Sequence, residues 1–433
     1  MKLTAVAASA AKEALVRQLI AAERLREAMA PAAPPRGLLL GYSTNVHPGE
    51  RLSEIYRYLR EYTLPVRDRV FGSRRAGLEL RLGIAAARDL MARGARRDFK
   101  AFLRAADLQL FSINAYPLTP FHMRRVKEAV YRPPWNHAAR ARWTQAIAEI
   151  FADVLDAGVE GSISTLGGGY RAWGHGPAML RRIAEGYVEA LSTLVAIEER
   201  SGKRIVLAVE PEPDTSFETA ADMVAFFEGY IVPAARASWK RRWTGPRIET
   251  LLRRHFTVNA DTCHFSVVFR EPWEELDALA RAGIAIGKVH VTSALSLPSP
   301  ARDPRGYGEL RALDEPRYFH QVRAADRDGR EVARWADLGR LPRDARSLAA
   351  RGEEIAEIRS HFHVPIHAAR WRRLSTTHGE TSRAVRHVVR KRLCRQLVIE
   401  TYTWPLLARE DTLVEGIASE YCWLLRVIAA ARA

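Results

Sequence analysis

Phe256-Thr-Val-Asn-Ala-Asp-Thr-Cys-His264 is the stretch on which the reading of this chain turns. Phe256, Val258 and Ala260 supply the apolar part of a buried strand, and Asp261 and His264 stand where that strand would run out into a loop. A carboxylate and an imidazole three residues apart at a strand end can face one pocket and hold a metal ion. They can equally be local structure, with Asp261 capping the next helix and His264 packed upon it. Within this stretch both readings stay open, so the neighbouring strands have to decide.

Working outward, the same pattern recurs. Residues 38–42 form an apolar run that ends in Ser43-Thr-Asn-Val-His-Pro-Gly-Glu50, and 108–113 one that ends in Asn114-Ala-Tyr-Pro117. Residues 161–165 open onto Leu166-Gly-Gly-Gly-Tyr170, and 204–209 onto Glu210-Pro-Glu-Pro-Asp214. The last two, 287–291 and 396–399, lead into Thr292-Ser293 and Glu400-Thr-Tyr-Thr-Trp404. Residues 77–82 are a weaker strand candidate, because a glutamate and an arginine interrupt them. Helical patterns separate these runs. That at 179–200 stops at Ser201-Gly202, and that at 272–282 begins with proline in its first turn. Others cover 217–235, 380–393 and 410–432.

Sustained strand–helix alternation predicts a parallel sheet covered by helices, an α/β fold. No GxGxxG follows the first strand, so a dinucleotide fold has no support, and Gly167–Gly169 could cradle a phosphate but reads more readily as a flexible turn. Polar residues at the ends of many different strands converge in a barrel on one face, which predicts a TIM (β/α)8-type barrel over 37–433. An insertion is expected at about 295–356, with strands at 318–322 and 331–335 flanking the turn Asp326-Arg-Asp-Gly329 and His320 on a flap or surface. Residues 1–36 read as an amphipathic helical extension and a Pro-rich hinge, expected to dock on an operon partner protein or the second subunit of a homodimer.

The chain has 433 residues, 47% hydrophobic and 27% charged, ample for a large core. Its net charge of +17 favours an anionic small molecule. The arginines are scattered and not interleaved with aromatics, which argues against nucleic acid. Cys263, Cys394 and Cys422 show no CxxC spacing, so a reducing cytoplasm fits, and no run is long enough to span a bilayer.

Collected in order, the strand ends offer Asn45 and His47, Asn114, Glu210 with Glu212, Asp261 with His264, His290, His361 with His363, and Glu400. Charged or ligating residues placed directly after apolar runs are costly unless the spot is wet and used. Oxygen and nitrogen donors without thiolate favour Mg²⁺, Mn²⁺ or Zn²⁺. Structural alternatives exist for each: Glu210 could pair with Lys288, and Glu400 with an arginine of 380–395. His361 and His363 alternate on a strand, so one of them is expected to point away from the pocket.

The segments VLAVEPEPD, NADTCHF, KVHVTSA and LVIETYTW resemble the metal-site strands of the xylose-isomerase-like barrel superfamily, which includes sugar-phosphate isomerases, ketose 3-epimerases and endonuclease IV. More narrowly, TNVHPGE, GSIST, EPEPD, DTCH, HFHVP and ETYTW resemble the EboE family of metabolite-traffic proteins, over most of the chain after residue 37. The resemblance implies that Glu210 and Glu400 bind one divalent metal and act as an acid/base pair. Asp261 and His290 would complete the coordination, and His264 would lie beside a substrate oxygen. HFHVP falls between the His290 and Glu400 strands, so His363 is an alternative or additional ligand. Asn45, His47, Asn114, Glu212 and His361 are expected to contact a small polyhydroxylated or hydroxy-ketone substrate, with pocket arginines on any phosphate. The rival readings are a non-catalytic metabolite-binding barrel and an apurinic endonuclease. The latter needs three zinc ions and histidines on early strands where this chain has Asn114 and the glycine loop.

Overall fold

The computed structural model describes residues 33, 35–72, 74–349, 355–407 and 412–433. The helix and most of the hinge expected in residues 1–36 lie outside them. In chain order the strands are β1 (Leu39–Tyr42), β2 (Ala76–Arg81), β3 (Leu108–Asn114), β4 (Gly161–Leu166), β5 (Ile205–Glu210), β6 (Phe256–Asp261) and β7 (Ala285–Val291). An insertion adds β8 (Leu295–Pro298), β9 (Val322–Ala325), β10 (Glu331–Trp335), β11 (Glu357–Ser360), β12 (Arg370–Trp371) and β13 (Leu374–Thr376) before β14 (Gln396–Ile399) returns to the main sheet. That sheet has eight strands in the order β1-β14-β7-β6-β5-β4-β3-β2, and every pairing in it is parallel. Its two edges meet through a parallel bridge between Ser43 and Glu79, so the sheet closes on itself. The architecture is a TIM-type barrel.

Burial explains the composition of the strands. All six residues of β5, Ile-Val-Leu-Ala-Val-Glu, are buried, as are all six of β6, because helices cover the outside while side chains fill the inside. The covering helices carry their own stop signals. Pro177–Ser201 ends at Gly202, whose φ of 67° lies in the left-handed region that closes a helix cheaply with glycine. The helix expected at 217–235 runs as Ala220–Phe226, a π-turn at Phe227–Ile231, and Val232–Trp239. Pro233 cannot donate to the preceding turn, which accounts for the wider loop just before it. No helix among the described residues is long and apolar enough to cross a membrane.

The insertion forms a second, antiparallel sheet in the order β10-β9-β11-β8-β13-β12. It continues past residue 356 as far as Thr376, because β11 and β13 come back to flank β8 on either side. The hairpin around Asp326-Arg-Asp-Gly329 forms, with Gly329 at φ 75°. Its first strand is Val322–Ala325 rather than 318–322, since Tyr318 and His320 turn inward. His320 is not a flap residue: its ring is buried, with Nδ1 bonded to the His361 carbonyl and Nε2 near Glu315. Because β8 follows β7 after three residues, this sheet rises from the C-terminal mouth of the barrel.

Candidate functional site

At that mouth, β5, β6, β7 and β14 deliver Glu210, Asp261, His290 and Glu400, with one ligand-type atom of each within 4.8 Å of the others. Two donors on opposite sides of one divalent ion stand about 4.2–4.8 Å apart, so a single ion fits among them. The register supports this: Asp261 lies opposite His290 across β6 and β7, and Val398, two residues before Glu400, lies opposite His290 on the other side. His290 Nδ1 is 3.1 Å from Glu210 Oε1 and 3.1 Å from Glu400 Oε2, with Asp261 Oδ2 at 3.7 Å. On its other side, His290 Nε2 faces Glu79 Oε1 at 3.3 Å, deeper in the barrel. Donation of the Nε2 proton to that carboxylate leaves the Nδ1 lone pair facing three more carboxylates, with Asn259 Nδ2 as a neighbouring donor at 3.2 Å. Burial pulls the His290 imidazole down, yet Glu400, Glu210 and Glu79 push it well above its ordinary range. A proton and a metal ion therefore compete for the same nitrogen.

The two oxygens of Asp261 are engaged differently. Oδ1 caps the helix Thr262–Val267 by accepting from the His264 N–H at 3.0 Å, and it also accepts from Thr292 Oγ1 at 2.6 Å. Oδ2 is buried without a hydrogen-bond partner. Burial raises this carboxyl, but His264, His363 and His290 more than offset it and hold it below its usual range. Glu400 is likewise free of the arginine pairing considered for it. Its Oε1 accepts from Asn45 Nδ2 at 2.8 Å and Asn114 Nδ2 at 3.4 Å, which leaves Oε2 toward His290. Lys288 does not pair with Glu210. It bonds Glu79, together with Ser164 Oγ at 2.8 Å and Ser112 Oγ at 3.2 Å.

His264, His361 and His363 form a second group beside the first. Contrary to the expectation that alternation would turn one of them away, the rings of His361 and His363 point the same way, with Nε2 atoms 3.2 Å apart. The strand has already ended at Ser360, and a tight bond from Phe362 N–H to the Ser360 carbonyl kinks the chain, so the period of two no longer applies. Both candidate imidazoles are thus present, His290 among the carboxylates and His363 with Asp261 and His264.

A cavity of about 590 Å³, its mouth included, opens over both groups and is lined by Asn45, Asn114, Glu210, Glu212, His264, His361, His363 and Glu400. Glu212 accepts from the hydroxyls of Tyr116 and Tyr131, the latter at 2.8 Å, and from Gln321 Nε2 at 3.2 Å. Burial raises its carboxyl above the usual range. The outer wall is aromatic, with Phe121, Tyr318 and Tyr402 in mutual ring contact. Two expectations are corrected here. His47 is not at the pocket: the short helix Thr44–Val46 turns the chain back, and the ring stacks on Tyr58 and Tyr62 while bonding the Tyr42 hydroxyl. Among the described residues no arginine lines the cavity either, and its lysine, Lys127, is 2.6 Å from Asp337. Sequence reasoning did not pair Glu79 with Lys288, whose signal was a charge in the middle of a strand, and it passed over Gln321, Tyr318 and Tyr402.

No protein-family model matches the chain, and no curated protein matches it. Solved structures do align with it. An "IOLI protein with a binding zinc atom" is 11% identical with TM-score 0.47, covering 91% of this chain and 99% of that one. A "D-tagatose 3-epimerase-like protein" is 14% identical with TM-score 0.44, covering 92% and 100%. An "L-ribulose 3-epimerase" is 12% identical with TM-score 0.43, covering 91% and 95%. Likeness at this level carries no conclusion about what this chain binds or converts.

Proposed function

We propose that this protein is a divalent-metal-dependent isomerase or epimerase of a small polyhydroxylated or hydroxy-ketone metabolite. The observation that carries the reading is the approach of Glu210 and Glu400 from two separated strands to the same nitrogen, each at 3.1 Å. Glu210, Asp261, His290 and Glu400 would hold the ion, and the orphaned Asp261 Oδ2 fits that role. Their oxygen and nitrogen donors suit Mn²⁺, Mg²⁺ or Zn²⁺. A cation bound there would supply Lewis acidity to adjacent hydroxyl and carbonyl oxygens of a substrate.

The chain's own groups supply the rest. One carboxylate, Glu210 or Glu400, removes the carbon-bound proton and the other returns one to the same or the neighbouring carbon. Asn45 and Asn114 hold Glu400 Oε1, so Oε2 is the oxygen left to take the proton. His264 Nδ1 donates to the Pro211 carbonyl at 2.9 Å, which aims Nε2 at the cavity. With Lys127 already paired and the outer wall aromatic, the substrate that fits is uncharged, polar at one end and apolar on one face. The motif resemblance to the EboE family supports a metabolite made and exported by one operon.

The test is solvent-deuterium uptake at carbon, followed by NMR, with the metal-loaded protein and a panel of ketoses and cyclic polyols. Uptake that falls by about 10²–10⁴-fold in Glu400→Gln is expected. Bound metal with no uptake from any of them would overturn the isomerase reading in favour of a binding role. Cleavage of an abasic duplex would overturn it in favour of the endonuclease.

A further inference from the structure

We propose that the base of the barrel, the end opposite the cavity, is a docking face for the surface of an anionic lipid bilayer. The inference goes beyond the proposed reaction and uses none of its residues.

The face is built where β14 and β1 begin. Arg36, Arg390, Lys391, Arg392, Arg395 and Arg432 are all exposed there. Hydrogen bonds to the backbone fix their proximity. Arg395 Nε donates to the Gly37 carbonyl at 3.2 Å, Arg432 Nη2 to the Arg36 carbonyl at 2.8 Å, and the Leu39 N–H to the Arg395 carbonyl at 2.7 Å. Arg392, at φ 54°, ends the helix His378–Lys391, so the last turn of that helix delivers Arg390 and Lys391 to the same rim. Toward the starts of β7 and β6 the rim continues with exposed Arg281 and Arg253, the latter donating to the Ala282 and Gly283 carbonyls at 2.8 Å and 2.9 Å. None of these side chains pairs with a carboxylate among the described residues. The sequence shows why: residues 250–260, 278–299, 381–399 and 421–433 contain no aspartate and no glutamate.

The other half of the same rim differs. There Arg75 and Arg104 meet Asp156, Arg204 meets Glu160 and Glu198, and Arg254 meets Glu198. An arginine-rich composition alone would spread unpaired cations around the rim, whereas they gather on the side of β6, β7, β14 and β1. Like charges held together on an exposed face repel one another until a counter-charge arrives. Shape and chemistry say what arrives. The exposed large apolar side chains among the described residues are Ile84, Met91 and Met123, so no exposed aromatic ring is present to stack on bases. The rim consists of strand starts and helix ends, with no described helix lying across it to enter the groove of a duplex. A broad set of cations without base-reading groups fits a plane of phosphate head groups, to which each lysine or arginine adds affinity. The N-terminal extension, read from the sequence as amphipathic, joins the barrel at Arg36, inside the patch. An amphipathic segment beside a basic patch adds apolar to electrostatic attraction for a bilayer surface. Docked in this way, the protein turns its cavity mouth away from the lipid.

The experiment is co-sedimentation of the full-length protein with vesicles of phosphatidylcholine containing about 30% phosphatidylglycerol, beside vesicles of phosphatidylcholine alone. Binding is expected to the anionic vesicles only, and to be lost at about 0.5 M NaCl. Arg390→Gln, Lys391→Gln and Arg392→Gln, combined in one protein, should lower the partition coefficient by about 10²-fold. These side chains make no hydrogen bond among the described residues, so the variant keeps its fold. Removing as many exposed charges toward the mouth end, with Arg93→Gln, Arg181→Gln and Arg182→Gln, should leave binding close to that of wild type. Equal losses in the two triple variants would overturn the proposal, because net charge and not the face would then set the binding. No binding to anionic vesicles at low salt would overturn it too. So would a protein that prefers a short DNA duplex to the vesicles and loses that preference in the rim variant, which would make the face a nucleic-acid site. Binding that survives the rim variant and disappears when residues 1–32 are removed would assign it to the extension and overturn the barrel face.

Discussion

Two sets of buried charges lie one above the other in the barrel, and they are balanced in opposite ways. In the lower one, Glu79 meets Lys288 at one oxygen and His290 at the other, and Lys288 adds Ser112 and Ser164. Burial raises the Glu79 carboxyl, but Lys288 and His290 outweigh it and hold Glu79 well below its ordinary range. In the upper one, Glu210, Asp261 and Glu400 crowd around a single imidazole, and no lysine or arginine among the described residues pairs with them. The lower charges are closed within the chain, which is what a structural ion pair does. The upper ones are left open, and open buried charge marks a place built for something that arrives from solution. A third solution lies behind β14. Glu420 is fully buried among neutral donors, Thr401, Trp404 and the Ile366 N–H, and its carboxyl is pushed up to about 7 by burial despite those bonds. There burial without a cation makes the carboxyl harder to ionise.

The contrast can be broken most directly from below. Lys288→Met leaves Glu79 ionised without its cation, and a loss of about 3–5 kcal/mol in chemical denaturation is expected. Glu79→Leu added to Lys288→Met should recover much of it. A double variant no better than the single one would mean that Lys288 is needed for more than balancing that charge.

Next in size is the Glu420 proton. Its folded value, about 7, stands above the ordinary 4.5, so its contribution is fully present below 4.5 and is lost as pH rises through 7. Relative to Glu420→Gln, which cannot ionise, wild-type stability should fall by about 3 kcal/mol between pH 4.5 and pH 8. A difference between the two proteins that stays constant with pH would show that Glu420 is not held as the acid.

The upper group should behave in the reverse sense. Without metal, Glu210→Gln relieves crowding among like charges, so its melting temperature is expected to equal or exceed that of wild type. A divalent ion at 100 times its Kd should stabilise wild type by about 2.7 kcal/mol and the variant by much less. A metal-free Glu210→Gln protein as damaged as Lys288→Met would place Glu210 with the structural pairs and end the distinction drawn here.

Much of this was legible along the chain because strand ends are local signals. A carboxylate or imidazole following an apolar run can be read one strand at a time, and Glu210, Asp261, His290 and Glu400 were found in that way. His47 obeyed the same signal and still left the site, since a three-residue helix redirects it into an aromatic stack. The pairing of Glu79 with Lys288 was missed for the converse reason. A charge inside a strand lowers its apparent strand character, and only the closed barrel brings the two into contact across 209 residues of sequence.

By itself, then, the sequence determined the alternation of strand and helix, the eight-stranded parallel barrel, and the identity of the groups at the strand ends. These follow from apolar periodicity and backbone propensity, which act within a few residues. Only the tertiary structure decided how their charges are balanced: which carboxylate meets a lysine, which is buried without a cation, and which Nε2 atoms face each other. Those outcomes depend on separations of about 3 Å between residues remote in the chain, and Coulomb and hydrogen-bond energies change steeply over that distance.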